Sequence, residues 1–252
     1  MARLISVHSF RGGTGKSNTT ANVATLLAQE GQRVGVVDLD IQSPGIHVIF
    51  GFDQEQSMRH SLNDYLWGDC ELRDAAHEVT AESNGKLSGR VWLVPSSMRP
   101  AQIARIMQEG YDVNLLNEGF RRLIDDLSLD VLILDTHPGI NEETLLSIAM
   151  SNVLAIVLRP DRQDYEGTRV TVAVARKLGV PQMMLVVNKA PSVLEPDAIR
   201  RKVEATYDCA VAAVLPHSDD LMVLSSEGVF SLRYPDHPLT GLYRDIAAQL
   251  TR

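Results

Sequence analysis

The chain has 252 residues, 44% of them hydrophobic and 22% charged, and it is long enough to bury a substantial core without any low-complexity tract, which excludes the disordered and fibrous classes. Its formal net charge of −8 is opposite in sign to the electrostatic footprint of a dedicated nucleic-acid binder. Only Cys70 and Cys209 occur, far apart and outside any Cys-x-x-Cys pattern, so neither a disulfide framework nor a thiolate metal site is indicated and a reducing cytoplasm is the expected setting.

Residues 1–8 carry one basic side chain and an apolar run too short for an export signal, and nothing later approaches the roughly 18 uninterrupted apolar residues of a membrane span. Strand-length apolar runs recur at 4–10, 33–38, 91–95, 131–135, 153–158, 183–188 and 210–215, with helical spacing between many of them. Between the first two, Thr20, Val23, Ala24, Leu27 and Ala28 fall at helical intervals and Gly31 supplies a stop, which makes the first β-α-β unit. Residues 53–90 are more polar and read as an excursion from the sheet, with short helices over 61–67 and 72–79 and a loop over 83–89. The span 101–127 is helical, broken near Gly110. Near the end, Leu242, Ile246 and Leu250 form a core-packing stripe with no basic apolar tail after it, so no direct membrane anchor is expected. The alternation predicts a single α/β domain over 1–252, three-layered, with a mainly parallel twisted sheet flanked by helices.

Gly12-Gly13-Thr14-Gly15-Lys16-Ser17 follows a predicted strand and opens a predicted helix, the context that turns a glycine-rich string into a phosphate site. Glycines let the backbone curl with its N–H groups inward, and the helix N-terminus adds positive potential. Lys16 can then neutralise the β- and γ-phosphates, while Ser17 offers a hydroxyl to Mg²⁺. The usual pattern has glycine at position 10 where this chain has Phe10, so the loop is of the deviant kind. The run Ser9-Phe-Arg-Gly-Gly-Thr-Gly-Lys-Ser-Asn-Thr-Thr-Ala-Asn-Val-Ala24 resembles the loop and first helix of the MinD/ParA family of ATPases.

Further landmarks carry the resemblance. In Val36-Val-Asp-Leu-Asp-Ile41 the two carboxylates are two apart on a strand and are expected to share a face at the sheet's carboxyl edge, where a ligand sits. Asp38 is expected to address Mg²⁺, and the resemblance implies that Asp40 supports hydrolysis. Leu132-Ile-Leu-Asp-Thr-His-Pro-Gly139 resembles a strand-end metal aspartate, Asp135, followed by a switch loop whose Gly139 N–H reports the γ-phosphate. His137 departs from the family's usual loop and reads as a partly exposed histidine or an interface residue. Asn188, ending Met183-Met-Leu-Val-Val-Asn188, resembles the residue that hydrogen-bonds adenine, and Pro191 stands where a guanine site needs a carboxylate, which favours ATP over GTP. Pro216 lies in a segment that resembles the second base-side loop.

The resemblance implies Mg-ATP bound by Gly12 to Asn18, an ATP-dependent homodimer, and slow hydrolysis as a switch, stimulated by a protein partner, for positioning a cellular cargo. The family's signature lysine, which reaches the opposite subunit's phosphates, is Arg11 here; the charge is kept, but a guanidinium is planar and bidentate. DNA contact is not signalled, Arg200-Arg201-Lys202 being the clearest basic run. Two alternatives stay open: a nucleotide-dependent interaction module with little hydrolysis, and an iron–sulfur carrier-type relative, for which Cys70 and Cys209 do not match the required spacing.

Overall fold

Segments such as Val131–Thr136 and Val153–Leu158 are buried throughout, with no polar face to offer water, and so belong inside a parallel sheet covered on both sides. The computed structural model describes residues 2–80 and 87–252; of the loop expected over 83–89, residues 83–86 lie outside the described residues. In chain order the first half runs β1 (Arg3–His8), α1 (Lys16–Gln29), β2 (Arg33–Leu39), α2 (Ile46–Ile49), α3 (Gln54–Ser57), α4 (Leu62–Leu66), β3 (His77–Glu78), β4 (Arg90–Val94), α5 (Pro100–Glu109) and α6 (Asn114–Leu127). The second half runs β5 (Val131–Thr136), α7 (Glu142–Met150), β6 (Val153–Leu158), α8 (Arg162–Lys177), β7 (Gln182–Ala190), α9 (Pro196–Tyr207), β8 (Val211–Pro216), α10 (Asp219–Val223), α11 (Phe230–Arg233) and α12 (Pro238–Leu250).

The sheet order is β3-β4-β2-β5-β1-β6-β7-β8, parallel except for β3. The chain moves outward from β1 to β2 and β4, returns to β5, and then crosses β1 to build the other half. The order therefore reverses around β1 and β5, the place where an open α/β sheet leaves a crevice at its carboxyl edge. Register carries three acidic or loop-bearing positions to that edge together: Asp38 pairs with Asp135, and Val7 lies beside Asp135 on the other side.

One face of the sheet is covered by α1 and α12 and the short helices beside them, the other by α4 to α6 over one half and α7 to α9 over the other. α1 is buried on nearly all sides, which explains its weak amphipathic pattern, and its Asn22 is satisfied by accepting the Ser231 N–H at 2.7 Å. Ile246 and Leu250 are fully buried, as the terminal stripe required. Gly31 takes φ 90°, the left-handed stop after α1, and Gly110 at φ 67° separates α5 from α6.

The helix expected over 72–79 does not form. Turns occupy its first half, and β3 adds to the sheet edge instead, with Val79 N–H donating to Val91 O at 3.0 Å. A short antiparallel edge strand satisfies backbone groups beside β4 that an isolated two-turn helix would leave to water. Among the described residues, no helix is long and apolar enough to cross a membrane.

Ile133 lies in β5 with no exposed surface, between β1 and β2. Ile133→Ala is expected to destabilise the protein by about 2–5 kcal/mol, read from the midpoint of urea unfolding.

Candidate functional site

β1 brings the chain to the centre of the carboxyl edge, where it curls before starting α1. Gly13 and Gly15 sit at φ 75° and 98°, a region glycine enters without steric cost. Gly15 is constrained twice, because a Cβ there would collide with Asn188 Nδ2. Phe10, where the usual loop has glycine, lays its ring on Gly167 of α8; a Cβ at 167 would overlap that ring. The bulk gained at position 10 is thus matched by bulk absent from a facing helix.

Gly12 and Gly13 are exposed, Asn18 is half-buried, and Lys16 opens α1 only 7% exposed. A buried ammonium needs anionic company. Asp135, at the end of β5, feels the charge of Lys16 and accepts hydrogen bonds from Thr20 Oγ1 at 3.1 Å and from the Ser17 hydroxyl. Burial pushes Asp135 up to about 6 against the pull of Lys16. Burial, and then the charge of Asp135, raise Asp38 well above the ordinary carboxylate range. Ser17, Asp38 and Asp135 offer only oxygen donors, with both carboxylates raised chiefly by burial. That is a fit for a hard divalent cation such as Mg²⁺.

β2 ends at Leu39, so Asp38 lies in the strand and Asp40 in the loop that follows, yet the charge of Asp40 acts on both Asp38 and Asp135. The Asp38 carboxylate accepts the N–H groups of Asp40 at 3.0 Å and Gly45 at 3.3 Å, which fixes that loop. Asp40 is less buried, accepts the Ser43 N–H at 3.1 Å, and stands 3.8 Å from His137 Nε2. Burial raises its pKa, opposed by His137 and Lys16. His137 is partly exposed in the loop after β5 and comes within 3.8 Å of Asp40 in the loop after β2.

The Gly139 N–H donates to Ser9 O at 3.1 Å, so the loop after β5 rests on the entrance to the phosphate loop. Asn188, 3% exposed, donates from Nδ2 to Thr14 O at 2.8 Å and accepts the Lys189 N–H at its Oδ1. Pro216 ends β8 opposite Ala190, which puts the ends of β7 and β8 next to each other. Arg11 lies 3.4 Å from Asp164 of α8. Burial alone would raise Asp164, but hydrogen bonds from the Arg159 side chain and backbone, then the charges of Arg159 and Arg11, hold it below the usual range.

Three participants escaped the sequence reading. His8 is fully buried next to the site; its Nδ1 lies 2.8 Å from the Thr136 hydroxyl, and burial, then Lys16 and His137, lower its pKa to about 3, so it stays neutral. Thr136 donates to Val7 O, which leaves His8 Nδ1 as the donor in that pair. Thr20 and Lys189 are the others, and only Lys189 carried a local signal, its place directly after Asn188.

A glycine loop between a central parallel strand and a helix, with a buried lysine facing strand-end carboxylates, is the architecture of P-loop nucleotide-binding proteins. The model of the AAA domain family matches residues 2–180, and the chain belongs to that family, as a MinD/ParA-like P-loop ATPase. It is 27% identical over 251 residues to an uncharacterized ATP-binding protein, MJ0547, of Methanocaldococcus jannaschii, covering 99% of this chain and 88% of that one. An iron-sulfur cluster carrier protein of Pseudomonas fragi is 26% identical, covering 97% and 83%. The septum site-determining protein MinD of Pyrococcus horikoshii, solved in complex with Mg-ADP, shares the fold, with a TM-score of 0.80 over 99% of this chain and 96% of that one at 21% identity.

The raised pKa of Asp135 makes a stability test. The folded state holds its proton up to about 6 and the unfolded state only to about 3.8, so this group costs stability as pH rises between those values, with the full cost present above them. Without nucleotide or Mg²⁺, Asp135→Asn is expected to unfold at higher urea than the native chain at pH 7.5. The advantage should fade as the pH is lowered to about 4.

Proposed function

We propose that the chain, acting as one domain over 1–252, binds Mg-ATP at the phosphate loop, pairs with a second copy while ATP is bound, and hydrolyses ATP slowly as a switch. The nucleotide state is then sensed by a protein partner that stimulates turnover or links the switch to a cellular cargo to be positioned. The observation that carries this reading is Lys16, 7% exposed at the head of α1 beside Asp135 and Asp40. Such a cluster has no packing purpose, but it suits a triphosphate with its metal. Similarity to the M. jannaschii ATP-binding protein and to the Mg-ADP-bound P. horikoshii MinD supports ATP and Mg²⁺ as the ligands.

In this reading the amides of Gly12 to Ser17, with Asn18, meet the phosphate tail, and Ser17, Asp38 and Asp135 hold Mg²⁺. When bound, the ion neutralises phosphate oxygens. Asp40, the least buried of the three aspartates, orients the attacking water and takes its proton. Gly139 exchanges its bond to Ser9 O for the γ-phosphate, so loss of that phosphate lets the loop fall back. Asn188 Nδ2 has a second hydrogen beyond the one given to Thr14, available to adenine beside Pro216. Arg11 releases Asp164 and reaches the phosphates of the partner copy. Asp164 keeps Arg159 at 3.0 and 3.1 Å, so that release leaves no bare anion.

Two observations favour other readings. Arg11 and the Gly139 N–H are both engaged within the chain, as a module that binds without turnover would have them. Similarity to an iron-sulfur cluster carrier favours the second. However, Cys70 packs in the core on the β2, β4 and β5 side while Cys209 packs by β7, and burial raises both thiols to about 11, which is poor ground for a shared cluster.

Titration calorimetry with Mg-ATP tests the binding, and Lys16→Ala is expected to abolish the heat seen with the native chain. Absence of heat from folded native protein sinks the proposal. Phosphate release separates enzyme from module: Asp40→Ala is expected to bind Mg-ATP yet lose turnover. In light scattering, Arg11→Ala is expected to remain monomeric with ATP while keeping near-native nucleotide affinity, and unchanged dimerisation would remove Arg11 from the interface.

A further inference from the structure

Two consecutive residues at the end of β7 grip two consecutive carbonyls of the phosphate loop. Asn188 Nδ2 donates to Thr14 O at 2.8 Å, and Lys189 Nζ donates to Gly13 O at 2.8 Å. Neighbouring side chains on a strand normally point to opposite faces. Here they converge, because Lys189 adopts φ 55°, a left-handed conformation uncommon for a long side chain. Its own N–H donates to Asn188 Oδ1 at 2.8 Å and closes the turn.

A trans peptide is planar, with its N–H opposite its C=O. Holding Gly13 O therefore orients the Thr14 N–H the other way, and holding Thr14 O does the same for the Gly15 N–H. Gly13 and Gly15 have wide conformational freedom of their own, so the direction of these amides must be imposed from outside the loop. The donors on β7 impose it. Amides aimed in advance are what a loop needs in order to take up a phosphate without losing order on binding.

We propose that Lys189 is a positioning residue for nucleotide: its ammonium holds the Gly13 carbonyl aside and so presets the Thr14 amide for a phosphate oxygen. The proposal rests on reading this loop as the Mg-ATP site. It assigns the lysine to the phosphate end of the ligand, although it follows a residue matched to the base end.

The test compares native protein with Lys189→Met and Lys189→Arg, after thermal unfolding has shown all three to be folded. Calorimetry is expected to give Lys189→Met a Kd about tenfold higher for both Mg-ATP and Mg-ADP, with Lys189→Arg recovering most of the loss. In nucleotide-free protein, the Thr14 amide of Lys189→Met is expected to exchange with solvent faster than native, while the Gly15 amide, held through Asn188, keeps its native rate. Native affinity in Lys189→Met overturns the proposal, as does weaker binding with unchanged exchange, which would mean that only the charge acts. If the native chain binds neither nucleotide, the reading of the site fails separately, and the exchange rates still decide whether the brace exists.

Discussion

One constraint organises the carboxyl edge of this sheet: an ammonium and two carboxylates are out of water in the same small volume. Lys16 is buried with the charges of Asp135 and Asp40 near it, and Asp38 and Asp135 lie side by side on β2 and β5 at the cost of mutual repulsion. The protein compensates with backbone and hydroxyl donors. Asp38 is met by two loop amides, while Asp135 is met by Thr20 and Ser17. Each compensation also fixes a loop, so the electrostatics of the edge and the shape of the site are one problem. Burial is the main cause of both raised carboxylates, and a bound cation would favour their charged forms.

The loop after β2 is fixed by Asp38 through the N–H groups of Asp40 and Gly45, whereas the loop after β5 is tied to the site by few contacts. Asp40 meets His137 at 3.8 Å, and Gly139 meets Ser9 through one backbone bond. The side formed by β7 is different, since it holds the phosphate loop through two bonds from adjacent residues. The site thus has a braced flank and a lightly latched flank. A nucleotide that differs only at its last phosphate would act on the latched one.

Much of this was readable in the residues. Parallel strands announce themselves because both faces are buried, and residues 153–158 required no structure to identify. The phosphate loop, Asp135 and Asn188 sit at strand ends, where a short motif fixes position in space as well as in sequence. What could not be read depends on partners distant in the chain. Phe10 looked only like a missing glycine until Gly167, on α8, proved to be the other half of the exchange. Edge strand β3 lies within a stretch whose spacing suggests a helix, because two residues carry no period and only the free edge of β4 decides their state. The left-handed turn at Lys189 leaves no mark in the sequence, since lysine is an unusual residue to find there.

The ion pair of Arg11 with Asp164 is long, and its carboxylate is already satisfied by Arg159. In the proposed dimer, a guanidinium in that position would be held close to its place of action without being bound tightly. The barrier to its leaving is then mostly that of rotating its own torsions, so encounter between two copies, more than any unlocking within one, would set the pace of assembly.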